Sequence, residues 1–449
     1  MLKLYHDKRR QTSIYESMLP QELFQLNEEL SKVDRLLDDE AFMEPFTKRF
    51  RTRTGRATVP VEVYIRLMYL KHRYELGYET LVKEVADSIK WRTFCRLQLD
   101  DPVPDSTTLI KSTKRYGEDT IKELNELLVR KAKEKKIIRG RKLRVDSTVV
   151  EADIHYPTDS SILADGIRVI TRTVKKLKET GSKEAQGFVD HTRKVKKRLY
   201  KLAQILKSNR KKGEPKKEQI QKITAEIKVV AEEVVSSAED VRSKLGSHPV
   251  AEKLDQQTGL LKKIIDQTEK VLAGQRHIPR RIVSFFDPEA HPIKKGKMSK
   301  PVEFGRKLNV AVTEEQVVTD YNLQNGNPPD SDLLIPAVEA HTRLVGKPRA
   351  VTADVIYGTA ENRRKLTEMG ISRIGIRARG RKSAERKEFE KQWWFKLLQR
   401  FRAGVESVIS LLKRKYGITR SRYKGTAGNN QWVGLSIMAY NLRRMAQLC

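Results

Sequence analysis

Between residues 160 and 275 the chain keeps a helical rhythm that its flanks do not share. Ile167, Ile170, Val174 and Leu177 alternate spacings of three and four. Val195, Leu199, Leu202 and Leu206 do the same, and so do Ile220, Ile223, Ile227, Val230 and Val234. Leu254, Leu261 and Ile264 continue the pattern less regularly. Apolar residues at these spacings form a narrow seam along one helix face. Gly and Pro in "TGSKE", "RKKGEPKK" and "GSHP" break the block into four charged helices. Stacked hairpins or a short coiled-coil bundle would bury such seams.

Strand-like text stands on both sides of the block. "KLRVDSTVVEADI" precedes it. "RRIVSFFD", "FGRKLNVAVTEEQVVTDYNL", "PRAVTADVIYG" and "SRIGIRARG" follow, with helical "DSDLLIPAVEAHTRLVG" and "TAENRRKLTEMG" between the last three. Strands that alternate with helices in this way describe an α/β sheet. The helical block is then an insertion between the first and second strands of one domain. Residues 1 to 135 read as short helices. "PVEVYIRLMYLKHRYELG" is expected to end with Gly77 as its C-cap. Asp105 or Ser106 can cap "STTLIKSTKRYG", which would expose Lys111, Lys114 and Arg115. A compact helical unit that ends in a basic helix is compatible with DNA binding of the helix-turn-helix kind. The division expected is a helical domain at 1–135, the first part of an α/β domain at 136–159, the helical insertion at 160–275, and the remainder at 276–449.

Charge narrows the choice of partner. Lys and Arg outnumber Asp and Glu by 91 to 58, a formal charge of +33, and such a surplus suits a polyanion, above all a nucleic acid. Cys95 and Cys449 form no disulfide framework, which fits a reducing compartment. The N-terminus lacks the apolar core of a signal peptide, and no run approaches the roughly 20 apolar residues of a membrane span. A soluble cytoplasmic protein is the expectation.

Against that basic background three acids stand out. Asp146 lies amid valines in "RVDSTVV", where an unpaired carboxylate is costly to bury. Asp354 closes the apolar run "VTAD", and ligand sites of open α/β sheets gather at the C-terminal ends of strands. Glu406 sits in "FRAGVESVISLLKRKYG", and Arg402, Glu406 and Lys413 fall within roughly 40° on one helix face. If the two strands are neighbours and the helix packs nearby, the three carboxylates converge. An all-oxygen donor set then calls for Mg²⁺, with Mn²⁺ as a substitute, rather than zinc. His155, His277 and His291 are scattered without cysteine partners, and no Gly-rich nucleotide loop is present. Asp287, at the end of "RRIVSFFD", would close the second strand near the acids, or else serve as a turn residue before Pro288.

These blocks, in this order, resemble the DDE transposases of bacterial insertion sequences. Arg402-x3-Glu406-x6-Lys413 matches the last three landmarks of that family's Tyr-Arg-Glu-Lys signature, and Gln399 stands where the Tyr is usual. "DST" at Asp146, "ADVIY" from Ala353 to Tyr357, "YGITRSRYKG" and "NLRRM" match further blocks, and residues 60 to 117 resemble the family's N-terminal domain. The resemblance implies an RNase H-like mixed-sheet catalytic domain interrupted by an all-helical insertion and preceded by an all-α N-terminal domain. It implies Asp146, Asp354 and Glu406 as catalytic metal ligands, with two Mg²⁺ ions about 3.5–4 Å apart. It implies cleavage at transposon ends and joining of the 3′-hydroxyl to target DNA by a homodimer or higher oligomer. Lys111, Lys114, Arg115, Arg402 and Lys413 are the candidate DNA contacts. The alternatives are a nuclease that cuts without joining, or a silent DNA-binding regulator.

Overall fold

The computed structural model describes residues 1–7, 14–50, 55–208, 215–246, 248–275, 277–294 and 302–449. The chain divides into two compact units, one of residues 1–153 with 306–449 and one of residues 154–305. The longer elements, in chain order, are helices α1 (Glu28–Leu37), α2 (Val61–Arg73), α3 (Tyr78–Asp87) and α4 (Ser106–Glu134), then strand β1 (Lys142–Glu151). Helices α5 (Asp159–Glu179), α6 (Thr192–Ser208), α7 (Pro215–Lys244) and α8 (Pro249–Leu272) follow. Then come strands β2 (His291–Lys294), β3 (Val302–Thr313) and β4 (Val318–Leu323), helix α9 (Leu334–Val345), strand β5 (Ala350–Ala353), helix α10 (Ala360–Glu368) and strand β6 (Arg373–Ile374). Helices α11 (Trp393–Lys415) and α12 (Gly425–Leu448) close the chain.

The sheet is mixed. Its order is β2-β3-β1-β5-β6, with β4 paired to β3. β3 and β4 form an antiparallel hairpin, while β1 pairs parallel with β5 and β5 with β6. One face of β1 and β5 is apolar, while the other carries Arg144, Asp146, Thr148 and Thr352. On one face, Leu143, Val145, Val351 and Ala353 pack with Leu334, Ala337 and Val338 of α9. On α11, Val405, Val408 and Leu412 are buried in a second, larger core.

That larger core runs through the N-terminal helices, β3, β4 and α12. Helix α12 is buried along most of its length, and its polar side chains bond neighbouring backbone and side chains. Asn441 accepts from the Val318 N–H at 3.0 Å and donates to the Val318 carbonyl at 2.8 Å. Asn125 of α4 donates to the Gly434 carbonyl of α12 at 3.0 Å. The helices cross closely there, since a Cβ on Gly434 would stand 2.6 Å from both Ile121 Cγ2 and the Tyr321 hydroxyl. Glu29 of α1 binds Arg73 of α2 at 2.7 Å and Arg443 of α12 at 2.8 Å, joining the two ends of the chain.

Two sequence expectations fail here. Gly77 does not cap α2, which ends at Arg73; it stands before α3 as that helix's N-cap, and Glu75 takes the positive φ of the turn. Helix α4, capped by Asp105 at Thr107 N, does not stop at Gly117. It kinks there, at φ 78° and ψ 173°, and runs on to Glu134. Tyr116, Ile121, Leu124 and Leu128 on both sides of the kink reach the same core, so packing carries the helix across a residue that would otherwise end it.

The second unit holds the four helices α5 to α8. Ile167, Ile170, Val174, Val195, Leu202, Ile223, Ile227, Val230, Val234, Leu254, Leu261 and Ile264 close over one intramolecular core. Leu206, counted in the second seam, is instead exposed. The break expected around "RKKGEP" falls largely at 209–214, outside the described residues. "RRIVSFFD" forms no strand. Gln267 clamps that segment instead, accepting from Ile282 N at 3.0 Å and donating to its carbonyl at 2.9 Å, and this removes the backbone groups a ladder would need. Arg198 of α6 pairs with Glu226 of α7 at 2.8 Å.

Candidate active site

The parallel register fixes the first two acids. Val145 of β1 lies opposite Ala353 of β5, so the next residues, Asp146 and Asp354, leave adjacent strands side by side. β5 stops at Ala353, and the Asp354 carboxylate accepts from Val355 N at 2.8 Å to open a turn through Tyr357. Asp146 accepts from Ser147 N at 2.8 Å and is half-buried.

Helix α11 brings Glu406 and Arg402 to the same end of the sheet. Arg402 lies 4.0 Å from Asp354 and 3.5 Å from Glu406, one guanidinium between two carboxylates. The helix is seated by a residue that the sequence reading passed over. Arg144, on the same strand face as Asp146, is 3% exposed, stacks on the Phe401 ring at 4.8 Å and donates to the Phe401 carbonyl at 3.1 Å. Gly404 makes room for it, because a Cβ there would stand 2.1 Å from Arg144 Nη1. Gln399, where the family signature has Tyr, donates its side-chain amide to the Gly375 carbonyl and ties α11 to the segment after β6.

The electrostatics follow from this packing. Burial pushes the Asp146 carboxyl up to about 6; the Ser147 N–H opposes that rise, the neighbouring Asp354 adds to it, Arg402 opposes it and Glu406 adds to it. One guanidinium thus serves three carboxylates. Glu406 is the most open of them, with its side chain 65% exposed, and Asp354 is 44% exposed. Among the described residues no three Asp, Glu, His or Cys side chains stand close enough together to grip a metal ion as they are. The donor chemistry nevertheless suits a hard cation, with three carboxylates around one end of the sheet and a half-buried acid raised by desolvation and, less, by its like-charged neighbours.

Further residues cluster beside Asp146. The Ser147 hydroxyl donates to Asp330 at 2.6 Å, and Lys307 of β3 lies 3.4 Å from Asp330. Buried Tyr357 donates to Asn309 at 3.4 Å. Asp330 was missed because it opens the helical "DSDLL" text and reads as a cap. Asp287 is buried in a turn of the other unit, where its carbonyl accepts from Ala290 N at 3.1 Å; it ends no strand. Lys111, Lys114 and Arg115 lie exposed on α4 ahead of its kink. Lys413 stands near the far end of α11, beside Arg420 and Lys71 in a separate cavity.

The sheet order, with helices on both faces and acids at neighbouring strand ends, defines an RNase H-like α/β protein with an all-helical insertion. Residues 19–115 match the model of a family described as "Transposase domain (DUF772)", and residues 264–442 match that of "Transposase DDE domain". The two matches together span more than half of the chain, which belongs to the DDE transposases of insertion sequences. Asp354 and Glu406 fall within the second match, while Asp146 and most of the helical insertion lie outside both. Among curated proteins, the chain is similar to an uncharacterized protein, ORF8 in the nfe locus of Rhizobium meliloti. The two are 29% identical over 141 residues, covering 30% of this chain and 67% of that protein. No solved structure matches the chain. Among the described residues no helix is long and apolar enough to cross a membrane.

Proposed function

We propose that this transposase binds the terminal inverted repeats of its insertion sequence and uses Asp146, Asp354 and Glu406 to cut DNA strands and join them to a target. The observation that carries this reading is the juxtaposition of Asp146 and Asp354 in register, with Arg402 linking Asp354 to Glu406. Such acids repel one another and are costly to bury unless a cation is supplied from outside.

Asp146, Asp354 and Glu406 would hold two Mg²⁺ ions, or Mn²⁺ in their place, which when bound would activate the attacking oxygen and stabilise the leaving one. Arg402 would then be released from its carboxylates to face a phosphate of the strand being cut. Ser147 and Lys307 fix Asp330 beside the site and keep that acid from joining the cluster freely. Lys111, Lys114 and Arg115 on α4 would hold the end DNA, and Lys413 the strand that runs along α11. Two ends must be brought together, so a homodimer or higher oligomer on DNA is proposed, with the four-helix unit contributing to pairing or end binding.

A supercoiled plasmid carrying the element's ends, incubated with protein and Mg²⁺, tests the reading. Nicked or excised ends together with strands joined to new sites are expected. Cut ends without joined strands would mark a nuclease, and an unaltered plasmid that is nevertheless bound would mark a regulator.

A further inference from the structure

Helix α2 presents a lysine that the proposed chemistry does not use. Lys71 is 3% exposed, and its ammonium lies 4.7 Å from the Trp432 ring centre, 4.8 Å from that of Tyr78 and 5.5 Å from that of Tyr423. The Tyr78 hydroxyl is bonded to Thr113 at 2.9 Å and to the Tyr423 hydroxyl, which fixes two of the three rings. Ring faces attract an ammonium, but they leave its three N–H donors without acceptors in line. Among the described residues no carboxylate lies within ion-pair distance of Lys71. Burial, with the like charge of Arg422, pushes its ammonium down to about 7.

The lysine opens on a cavity of about 220 Å³, whose other walls include Lys413, Arg420, Arg422, the Thr419 residue and a single acid, Glu75. Glu75 and Arg422 are exposed. Arg420 reaches Glu151 at 3.8 Å and Asp153 at 3.9 Å, near the limit of an ion pair. Four cations thus face one space lined by one carboxylate. A purely structural plug for the aromatic cage would be better served by methionine, which fills the same volume without burying a charge.

We propose that this cavity binds one phosphate of the DNA backbone, with Lys71 at its floor and Arg422 and Lys413 at its mouth. The assignment rests on the DNA-binding reading above and adds to it a second point of grip on the same strand. Lys413 follows Glu406 by seven residues on α11, about 10 Å along the axis at 1.5 Å per residue. A strand advances about 3.4 Å per nucleotide, so the held phosphate would lie about three nucleotides from the one undergoing reaction. Walls from α2 and from the α11–α12 connection would let one phosphate set the N-terminal helices and the catalytic helix in register on the DNA.

The test measures binding of the full-length protein, without divalent metal, to a labelled duplex of the element's own terminal DNA over a range of salt. Lys71→Met and Arg422→Gln should each weaken binding about tenfold, as loss of a charge-assisted phosphate contact does. Each should lower the slope of log affinity against log salt by about one. Lys71→Met keeps side-chain volume and removes a buried charge, so its melting temperature should not fall. The exposed Arg422 variant provides the same readout with no change in the interior. Unchanged affinity and slope in both variants would overturn the proposal. So would inorganic phosphate that raises the melting temperature of the parent but not of Lys71→Met while the DNA affinities stay equal, since the site would then serve a free anion. Salt-insensitive DNA binding by the parent protein would instead overturn the underlying function.

Discussion

The middle and the C-terminal end of helix α11 carry opposite excesses of charge. Near its middle, Glu406 joins Asp146 and Asp354, and a single guanidinium, Arg402, stands among the three carboxylates. At its C-terminal end, Lys413 joins Lys71, Arg420 and Arg422, and a single carboxylate, Glu75, lines the same cavity. The acidic group has one guanidinium for three carboxylates, and the basic group is offset in part by Glu75 and by the contacts of Arg420 with Glu151 and Asp153. A fold selected for stability alone would pair these charges or replace them with apolar groups. The difference in sign is what separates the two partners proposed above, a hard cation for the acids and a phosphate oxyanion for the cations.

The largest effect is expected at the acidic group. Asp146→Asn, Asp354→Asn and Glu406→Gln should each lower plasmid cleavage by about 10³-fold or more, because a metal contribution of several kcal/mol is lost. Binding to the ends should persist, as gel shifts would show. Near-normal cleavage by any one variant removes that residue from the site and breaks the symmetry between the two groups. Next in size are the losses of DNA affinity from Lys71→Met and Arg422→Gln, which touch only the basic end and should leave metal-dependent cleavage of saturating DNA closer to normal than any acid variant does.

Gly404→Ala sharpens the comparison through packing. Its methyl would meet Arg144, which the Phe401 ring and carbonyl hold in a buried slot, so a shift of α11 is the expected relief. Overpacking of this kind typically costs about 1–3 kcal/mol. Thermal unfolding should show the loss, and cleavage should fall with it because Glu406 rides on the displaced turn. An unaltered melting temperature would show that Arg144 does not seat the helix.

The smallest effect on activity concerns pH in the absence of metal, where only stability is read. Asp146 is raised from 3.8 to about 6 in the folded protein, so the native state holds a proton that the unfolded chain releases between those values. Stability from this group is full below about pH 4 and lost as pH rises through 6, a change of about 3 kcal/mol at most. Asp146→Asn should therefore raise the melting temperature at pH 7 by a few degrees while abolishing cleavage. Arg402→Gln removes a cation that holds Asp146 down, and should move the loss of stability to higher pH.

Much of this was legible from the chain. Asp146 and Asp354 stood out because an acid within a β-branched run contradicts its surroundings, and Glu406 because its spacing from Arg402 and Lys413 places all three on one helix face. The four seams of the insertion were equally plain, since heptad-like spacing is a local property. Strand assignment failed at "RRIVSFFD", where β-branched and aromatic residues pack as irregular chain and Gln267 takes the backbone bonds. Helix ends failed at Gly77 and Gly117, because glycine permits a turn or a kink without choosing between them. Arg144 and Asp330 escaped notice because neither contradicts its local text.

The sequence by itself determined which residues carry charge that local structure cannot use, and in what order the strands and helices follow. Periodicity and composition act over a few residues, and they are written in the chain directly. Tertiary structure alone decided that β1 lies beside β5 in the register that aligns Asp146 with Asp354, and that Gly404 opens a slot for Arg144. It also carried Lys71, from the N-terminal helices, to the cavity of Lys413 and Trp432, more than 300 residues away in the chain. Such contacts depend on side-chain volumes meeting across long loops, and no local pattern records which distant residue will fill a given space.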